Sequence, residues 1–539
     1  MTEVTAVLSM LHEPSARAGA RPADSASRLF RGQPVLAWTL SRLSRARNVA
    51  AAVVVCWDDQ LFAVTPLATE TGARVHSVGP RRALATMDAV SAALRWTDGW
   101  RGGLLGATHF DRGFHGTAAL EAADDAHAVV LIDPSAGLVD PALVDALVAH
   151  ADAHPEVEYV FSQSAPGIGG IVIRRPLLER LATAGTYPGR LFAYSPDAPS
   201  RDPITTDSCL AVPPQIARTL HRLTLDSDRQ IRRLTAATEH LNGSLISTDA
   251  RGLIAVLDAA TAEHLMPRDV TLEVTTTRAT RPIFAPGTHL RLGRGDLSIA
   301  HVRDLIEQFA AADDLRLILA GAGDPLLHPE FPAIADLLSI SDISAIHVET
   351  DLVDVSDQAI YALARGRFDV VTVQLPAATA GTYERVMGVG QIEQAVRNLS
   401  RLLQLRTGPT PIVVPTFTKC RENLDEMEPW YDHFLRTVGA AAIVGPSDFA
   451  GQIPDHACAD MSPPRRRPCQ RIQTRMTIRS DGAVPPCEQD VLGAHAVATV
   501  NETVTETWKA RLRPLREAHH AGDLSAHPLC VSCREWHRP

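Results

Sequence analysis

The sequence predicts an α/β chain: two stretches of alternating strand and helix, then a small cysteine-rich domain. Three observations carry that prediction. Residues 1–242 alternate short apolar runs with segments whose apolar positions recur three and four apart. Residues 269–455 repeat a strand and then an amphipathic helix six times. Beyond them, four cysteines follow in the pattern C-x17-C-x42-C-x2-C: Cys469, Cys487, Cys530 and Cys533.

In the first region, residues 4–8 and 51–55 read as buried strands, and residues 34–43 and 143–151 as helices. A further apolar run at 128–132 ends at Asp133-Pro134. Such alternation implies a mostly parallel sheet covered by helices. Residues 96–116, rich in glycine and aromatics, read as an insertion or surface loop. Residues 243–268 read as a linker holding an apolar helix around 253–265.

In the second region the strands are placed at 272–274, 315–319, 343–348, 370–373, 412–414 and 441–444. The helix expected over 299–310 carries Ile299, Val302, Leu305, Ile306 and Phe309 on one face. Six such units fit a partial, open strand–helix barrel. Ligands of parallel α/β sheets sit at the C-terminal strand ends, so the loops there are the candidate sites. In the third region, 456–539, Ser480-Asp481-Gly482 between two apolar runs predicts a hairpin, since Asp-Gly accepts positive φ. A helix is expected over 501–521, with Trp508, Leu512 and Leu515 on one face and Gly522 as its stop.

A chain of 539 residues exceeds one hydrophobic core, and its net charge of −10 favours neither nucleic acid nor an anionic membrane as partner. Without a long apolar run or a leader-like N-terminus, the expected location is the cytoplasm. Lysine is confined to Lys419 and Lys509, which removes it from any catalytic role in the first 400 residues. Cys56, Cys209, Cys420 and Cys458 are isolated in sequence and read as small buried hydrophobes. His519, His520, His527 and His537 read as solvated residues near a helix end.

Thiolates are soft ligands, and a small domain with few large apolar side chains needs a staple. By spacing alone the four tail cysteines suit an iron–sulfur cluster or a structural zinc, with no metal as the third option. The text Pro468-Cys469, Met476 to Ser480-Asp481-Gly482, Pro486-Cys487, Thr507-Trp508, Leu529-Cys530 and Cys533 to Trp536 resembles the SPASM domain of radical S-adenosylmethionine (SAM) enzymes. That resemblance implies one [4Fe–4S] cluster on Cys469, Cys487, Cys530 and Cys533, fully ligated by cysteine. Its role would then be structural or electron transfer.

The middle region is similar to the radical SAM core. Gly321-Ala322-Gly323-Asp324-Pro325 follows the second strand and resembles the family's Gly-Gly-Glu-Pro loop, implying that Gly321, Gly323, Asp324 and Pro325 face the SAM amino group. Residues 377–388 are similar to the family segment after the fourth strand. The family's C-x3-C-x2-C triad is missing: its three positions fall on Ala279, Ile283 and Pro286. Reductive SAM cleavage needs a cluster with an open iron, so radical chemistry by that route is not expected. The barrel either binds SAM or another small ligand without radical chemistry, or is a scaffold that kept its packing and lost its reaction, which is the reading favoured.

Residues 1–242 resemble the cytidylyltransferases that activate acidic sugars. Pro14-Ser15 with Arg17 and Arg21 is similar to the family's phosphate loop, and Arg31-Gly32-Gln33-Pro34 to its G-K-P-x-L segment. The resemblance implies that Ser15, Arg17 and Arg21 hold nucleotide phosphates and that Asp133 and Asp226 hold magnesium. Three functions follow as expectations. The chain is an iron–sulfur protein with a degenerate radical-SAM-like core and a domain binding a nucleotide or nucleotide-sugar. Alternatively it is a working magnesium-dependent cytidylyltransferase, or a zinc-stapled scaffold without catalysis.

Overall fold

The computed structural model describes residues 3–11, 24–82, 111, 114–260, 265–525 and 527–538, the side chain of residue 242 apart. The chain divides into two compact units, Met1–Glu263 and His264–Pro539.

The first unit holds β1 (Val4–Ser9), β2 (Leu29–Phe30), β3 (Gln33–Pro34), β4 (Ala51–Cys56), β5 (Arg74–Ser77), β6 (Ala128–Leu131), β7 (Tyr159–Ser162), β8 (Ile171–Arg174) and β9 (Cys209–Leu210). Seven of these form one sheet in the order β5-β4-β1-β6-β8-β7-β9. The first four run parallel, and β8 pairs antiparallel with both β6 and β7. Alternate residues of each strand serve opposite layers. Ala6, Leu8 and Val54 pack with the helices Val35–Leu43 and Pro141–Ala153. Val7, Val53 and Val55 pack with Leu177 and Leu178 of the helix Arg175–Ala184. The short β2–β3 hairpin turns on Arg31 and Gly32, both at positive φ, as a two-residue turn of this hand requires.

Residues 243–260 of the stretch expected as a linker belong to this unit, and 265–268 to the second. The helix there spans Ala250–Ala259, and Leu253, Ile254 and Leu257 bury beside Phe30, Leu138 and Leu225. Arg42, fully buried, fastens the approach to that helix by donating to the carbonyls of Val139, Leu245 and Thr248 at 2.7, 2.6 and 2.7 Å. A guanidinium satisfied by three backbone acceptors is invisible to periodicity, which is why residues 243–260 read as a connector.

The second unit contains β10 (Asp269–Leu272), β11 (Arg316–Leu319), β12 (Ala345–Thr350), β13 (Val370–Gln374), β14 (Ile412–Thr418), β15 (Ala442–Val444), β16 (Arg475–Ile478), β17 (Ala483–Val484) and β18 (Ala498–Thr499). The six expected strands stand side by side in chain order, all parallel. Helices including Ile299–Phe309 pack their apolar stripe onto the sheet. A seventh strand, β16, joins the sheet parallel to β10 and comes from the cysteine-rich region. Met476 and Ile478 thereby enter the same core as Val270 and Leu272. The expected turn at 480–482 forms, with Gly482 at positive φ and its amide 2.8 Å from the Arg479 carbonyl. Its second arm, β17, pairs with β18.

The helix expected over 501–521 is interrupted. A short turn Val504–Glu506 leads into a π-helical turn at Thr507–Arg511, and a new helix runs Arg513–His520. Pro514 supplies no amide to a continuous ladder and fits the first turn of that new helix. Trp508 and Leu512 are buried as expected, and Arg516 lies 4.1 Å over the Trp508 ring. No helix among the described residues is long and apolar enough to cross a membrane.

Candidate metal centre

The tail thiols are brought to one place by three elements. Cys469 precedes the short helix Arg471–Thr474, Cys487 follows β17, and Cys530 and Cys533 flank the end of the helix Pro528–Ser532. Burial pushes the Cys487 thiol up to about 12, and the neighbouring Cys530, Cys469 and Cys533 add to the rise. The Cys530 thiol is pushed up to about 11 by burial and then by Cys469 and Cys533. Ionising thiols that crowd one another in this way requires a compensating cation.

The surroundings are nevertheless built for thiolates. The Gln489 amide donates towards Cys487, and the Glu535 amide lies 3.3 Å from Cys533 Sγ. His519 Nε2 lies 3.4 Å from Cys530 Sγ, and His519 Nδ1 accepts the Cys469 amide at 3.2 Å. Three of the four sulfurs therefore face an N–H group, an arrangement that stabilises charge on sulfur. The donor set and its hydrogen bonds fit a metal or cluster held by Cys469, Cys487, Cys530 and Cys533.

His519 departs from the expectation of a solvated residue, being 1% exposed. The signal was present: the stripe Trp508, Leu512, Leu515 continues by the same helical step to position 519. Of the four isolated cysteines, Cys56 and Cys420 are buried, while Cys209 and Cys458 are half-buried.

At the C-terminal ends of the barrel strands, the expected SAM loop is tightly seated. A Cβ on Gly323 would lie 2.4 Å from the Thr275 carbonyl oxygen, so only glycine permits this approach to the segment after β10. Asp324 turns inward. Its Oδ1 accepts the Leu326 amide at 3.0 Å, and its Oδ2 accepts the Thr350 hydroxyl and the Asp351 amide, both at 2.8 Å. Both oxygens are thus engaged by the protein itself, and Pro325 opens the short turn that follows.

The segment carrying Ala279, Ile283 and Pro286 packs against the end of the helix Ala380–Met387, with Ile283 N–H to Val386 O at 2.9 Å. Arg278 lies there in a bidentate pair with Asp351, at 2.7 and 2.6 Å, and Thr280 donates to the same carboxylate. A second buried pair, Arg294 to Glu273 at 2.6 and 2.9 Å, closes the ends of β10 and β16. Neither pair is legible in the sequence, because the partners are separated in the chain.

Burial, with the charge of Asp351 next, raises the Asp324 carboxyl to about 6. A carboxyl raised in the fold contributes stability that is complete below its unfolded value near 4 and is lost as pH rises through about 6. Asp324→Asn is expected to remove that loss. Denaturant melts between pH 4 and 7 should show the wild type losing stability relative to the variant as pH rises, and parallel curves would refute it.

In the first unit, Asp133 and Asp226 come from adjoining segments, since the Leu225 amide donates to the Ser135 carbonyl at 2.8 Å. Asp133 Oδ1 accepts from the Ser135 amide and hydroxyl at 2.8 and 2.7 Å. Asp226 is ion-paired with Arg222, a buried residue. Ser15, Arg17 and Arg21 lie outside the described residues. His154, Glu156 and Asp207 bring three ligand atoms within 4.8 Å of one another near the surface.

No family model matches the chain. An uncharacterized protein of Treponema pallidum (strain Nichols) is 26% identical over 251 residues, covering 43% of this chain and 68% of its own length. Among solved structures, BtrN in complex with AdoMet and 2-DOIA is 14% identical, covers 50% of this chain and 93% of its own, and has a TM-score of 0.34. Streptococcus suis SuiB bound to S-adenosylmethionine is 11% identical, with coverage of 57% and 84% and a TM-score of 0.40. A cytidylyltransferase from Leptospira borgpetersenii serovar Hardjo-bovis is 14% identical, with coverage of 49% and 98% and a TM-score of 0.32.

Proposed function

We propose that this is an iron–sulfur protein: Cys469, Cys487, Cys530 and Cys533 hold one [4Fe–4S] cluster beside a barrel that no longer performs radical SAM chemistry. The observation that carries the reading is the convergence of four thiols with N–H donors aimed at three of them. The cluster would supply one-electron chemistry or a structural staple, and full cysteine ligation leaves no iron open to substrate. Iron is preferred to zinc because the text around the four cysteines resembles the SPASM domain.

The loss of radical chemistry is supported by what fills the strand ends. Ala279, Ile283 and Pro286 offer no ligand, Asp324 is spent on Leu326, Thr350 and Asp351, and Arg278 is spent on Asp351. The first unit, in this reading, binds a nucleotide or nucleotide-sugar in surface-polysaccharide metabolism. Iron and acid-labile sulfide in anaerobically purified protein test the centre, and their absence, or zinc in their place, refutes it. Formation of 5′-deoxyadenosine from SAM and dithionite would overturn the reading of the barrel.

A second reading, a magnesium-dependent cytidylyltransferase, is favoured by the adjoining Asp133 and Asp226 segments. The Arg222 ion pair weighs against it, because magnesium would have to displace a buried guanidinium from Asp226. Pyrophosphate release from CTP, abolished in Asp133→Ala, would establish it.

A further inference from the structure

We propose that His519 is a positioning residue that sets the reduction potential of the tail cluster, by donating an N–H···S hydrogen bond to the Cys530 thiolate. The inference rests on the cluster reading above and goes beyond it, since it makes the centre a tuned redox group rather than a staple alone.

The tautomer follows from the hydrogen bonds. The Cys469 amide can only donate, so His519 Nδ1, 3.2 Å away, is the acceptor nitrogen. The ring's hydrogen then sits on Nε2, which lies 3.4 Å from Cys530 Sγ. The ring is 1% exposed, so water does not compete for that hydrogen. One ring thus grips the backbone beside one cysteine and the sulfur of another.

Hydrogen bonds to ligand sulfur stabilise the more negative, reduced state and raise the potential. Arg466 works in the same direction. Its guanidinium donates to the carbonyls of Cys530 and Val531, placing a positive charge at the end of the helix that carries Cys530 and Cys533. Reduction adds one electron, supplied by dithionite as the reductant of the titration, and neither makes nor breaks a bond.

The test uses the full chain with its cluster, as wild type, His519→Phe and His519→Gln, titrated against potential while the reduced cluster is followed by EPR. His519→Phe should retain iron and sulfide and shift the midpoint negative by about tenfold in the reduction equilibrium, about 59 mV for one electron. His519→Gln, which keeps an N–H of similar reach, should recover much of the shift. An unmoved midpoint, or equal shifts in the two variants, overturns the proposal. Should His519→Phe lose its iron, pulsed EPR of 15N-histidine-labelled wild type decides. A weak histidine coupling is expected; none, or the strong coupling of a directly bound nitrogen, overturns it. Wild type without iron and sulfide would sink the cluster reading as well, whereas iron with an unmoved midpoint sinks only this inference.

Discussion

If the tail cysteines hold a cluster as proposed, Cys530→Ser is expected to purify with at least about tenfold less iron and sulfide than the wild type, because one of four ligands and its hydrogen bond are lost together. The consequence for structure should be local. Cys530 is itself buried in the short helix Pro528–Ser532, which Arg466 holds by donating to the Cys530 and Val531 carbonyls. Without a cation, the raised thiols of Cys487 and Cys530 stay protonated, and the staple on this region is gone. Limited proteolysis should cut the variant within the cysteine-rich region while leaving the first unit intact, since Met1–Glu263 has cores of its own. Iron retained at the wild-type level in Cys530→Ser would exclude it as a ligand. A tail equally resistant to protease with and without iron would remove the structural half of the claim.

What the sequence revealed follows physical rules. The barrel strands are short runs rich in Val, Ile and Leu separated by amphipathic helices, so all six are legible within a few residues of their observed positions. The pairing of β16 was hidden, because Met476 and Ile478 alternate in the same way whether their partner is β17 or β10. The four tail cysteines announced themselves by residue type, but the ring that links two of them did not. Histidine is read as polar unless its helical phase is followed from Trp508 to His519. Asp324 was legible as a loop carboxylate, whereas its inward turn depends on Thr350 and Asp351, which arrive from the next strand. The pairs Arg278–Asp351 and Arg294–Glu273 bridge distant segments and carry no local signature.

Glu273→Ala should destabilise the second unit by about 3–5 kcal/mol, the usual cost of removing one partner from a buried ion pair. Glu273 joins three segments. Its Oε1 accepts from Arg294 at 2.6 Å and from the Ser480 amide and hydroxyl at 3.2 and 3.1 Å. Its Oε2 accepts from Arg294 at 2.9 Å and from the Ala322 amide at 2.9 Å. The carboxylate therefore holds the glycine loop after β11 and the turn after β16 to the end of β10. Alanine leaves the Arg294 guanidinium, with its side chain 4% exposed, without its counter-charge, and leaves two backbone amides without acceptors. Most of the loss should come from the stranded charge. Arg294→Met on top of Glu273→Ala is accordingly expected to recover part of the stability, as replacing both partners of a buried pair often does. Denaturant titration of the three proteins checks this. A single variant within about 1 kcal/mol of wild type would show that water reaches the pair and that the strand ends are open. In that case the case for a closed barrel top would fall with it, because Glu273, Arg278 and Asp324 close it by the same means.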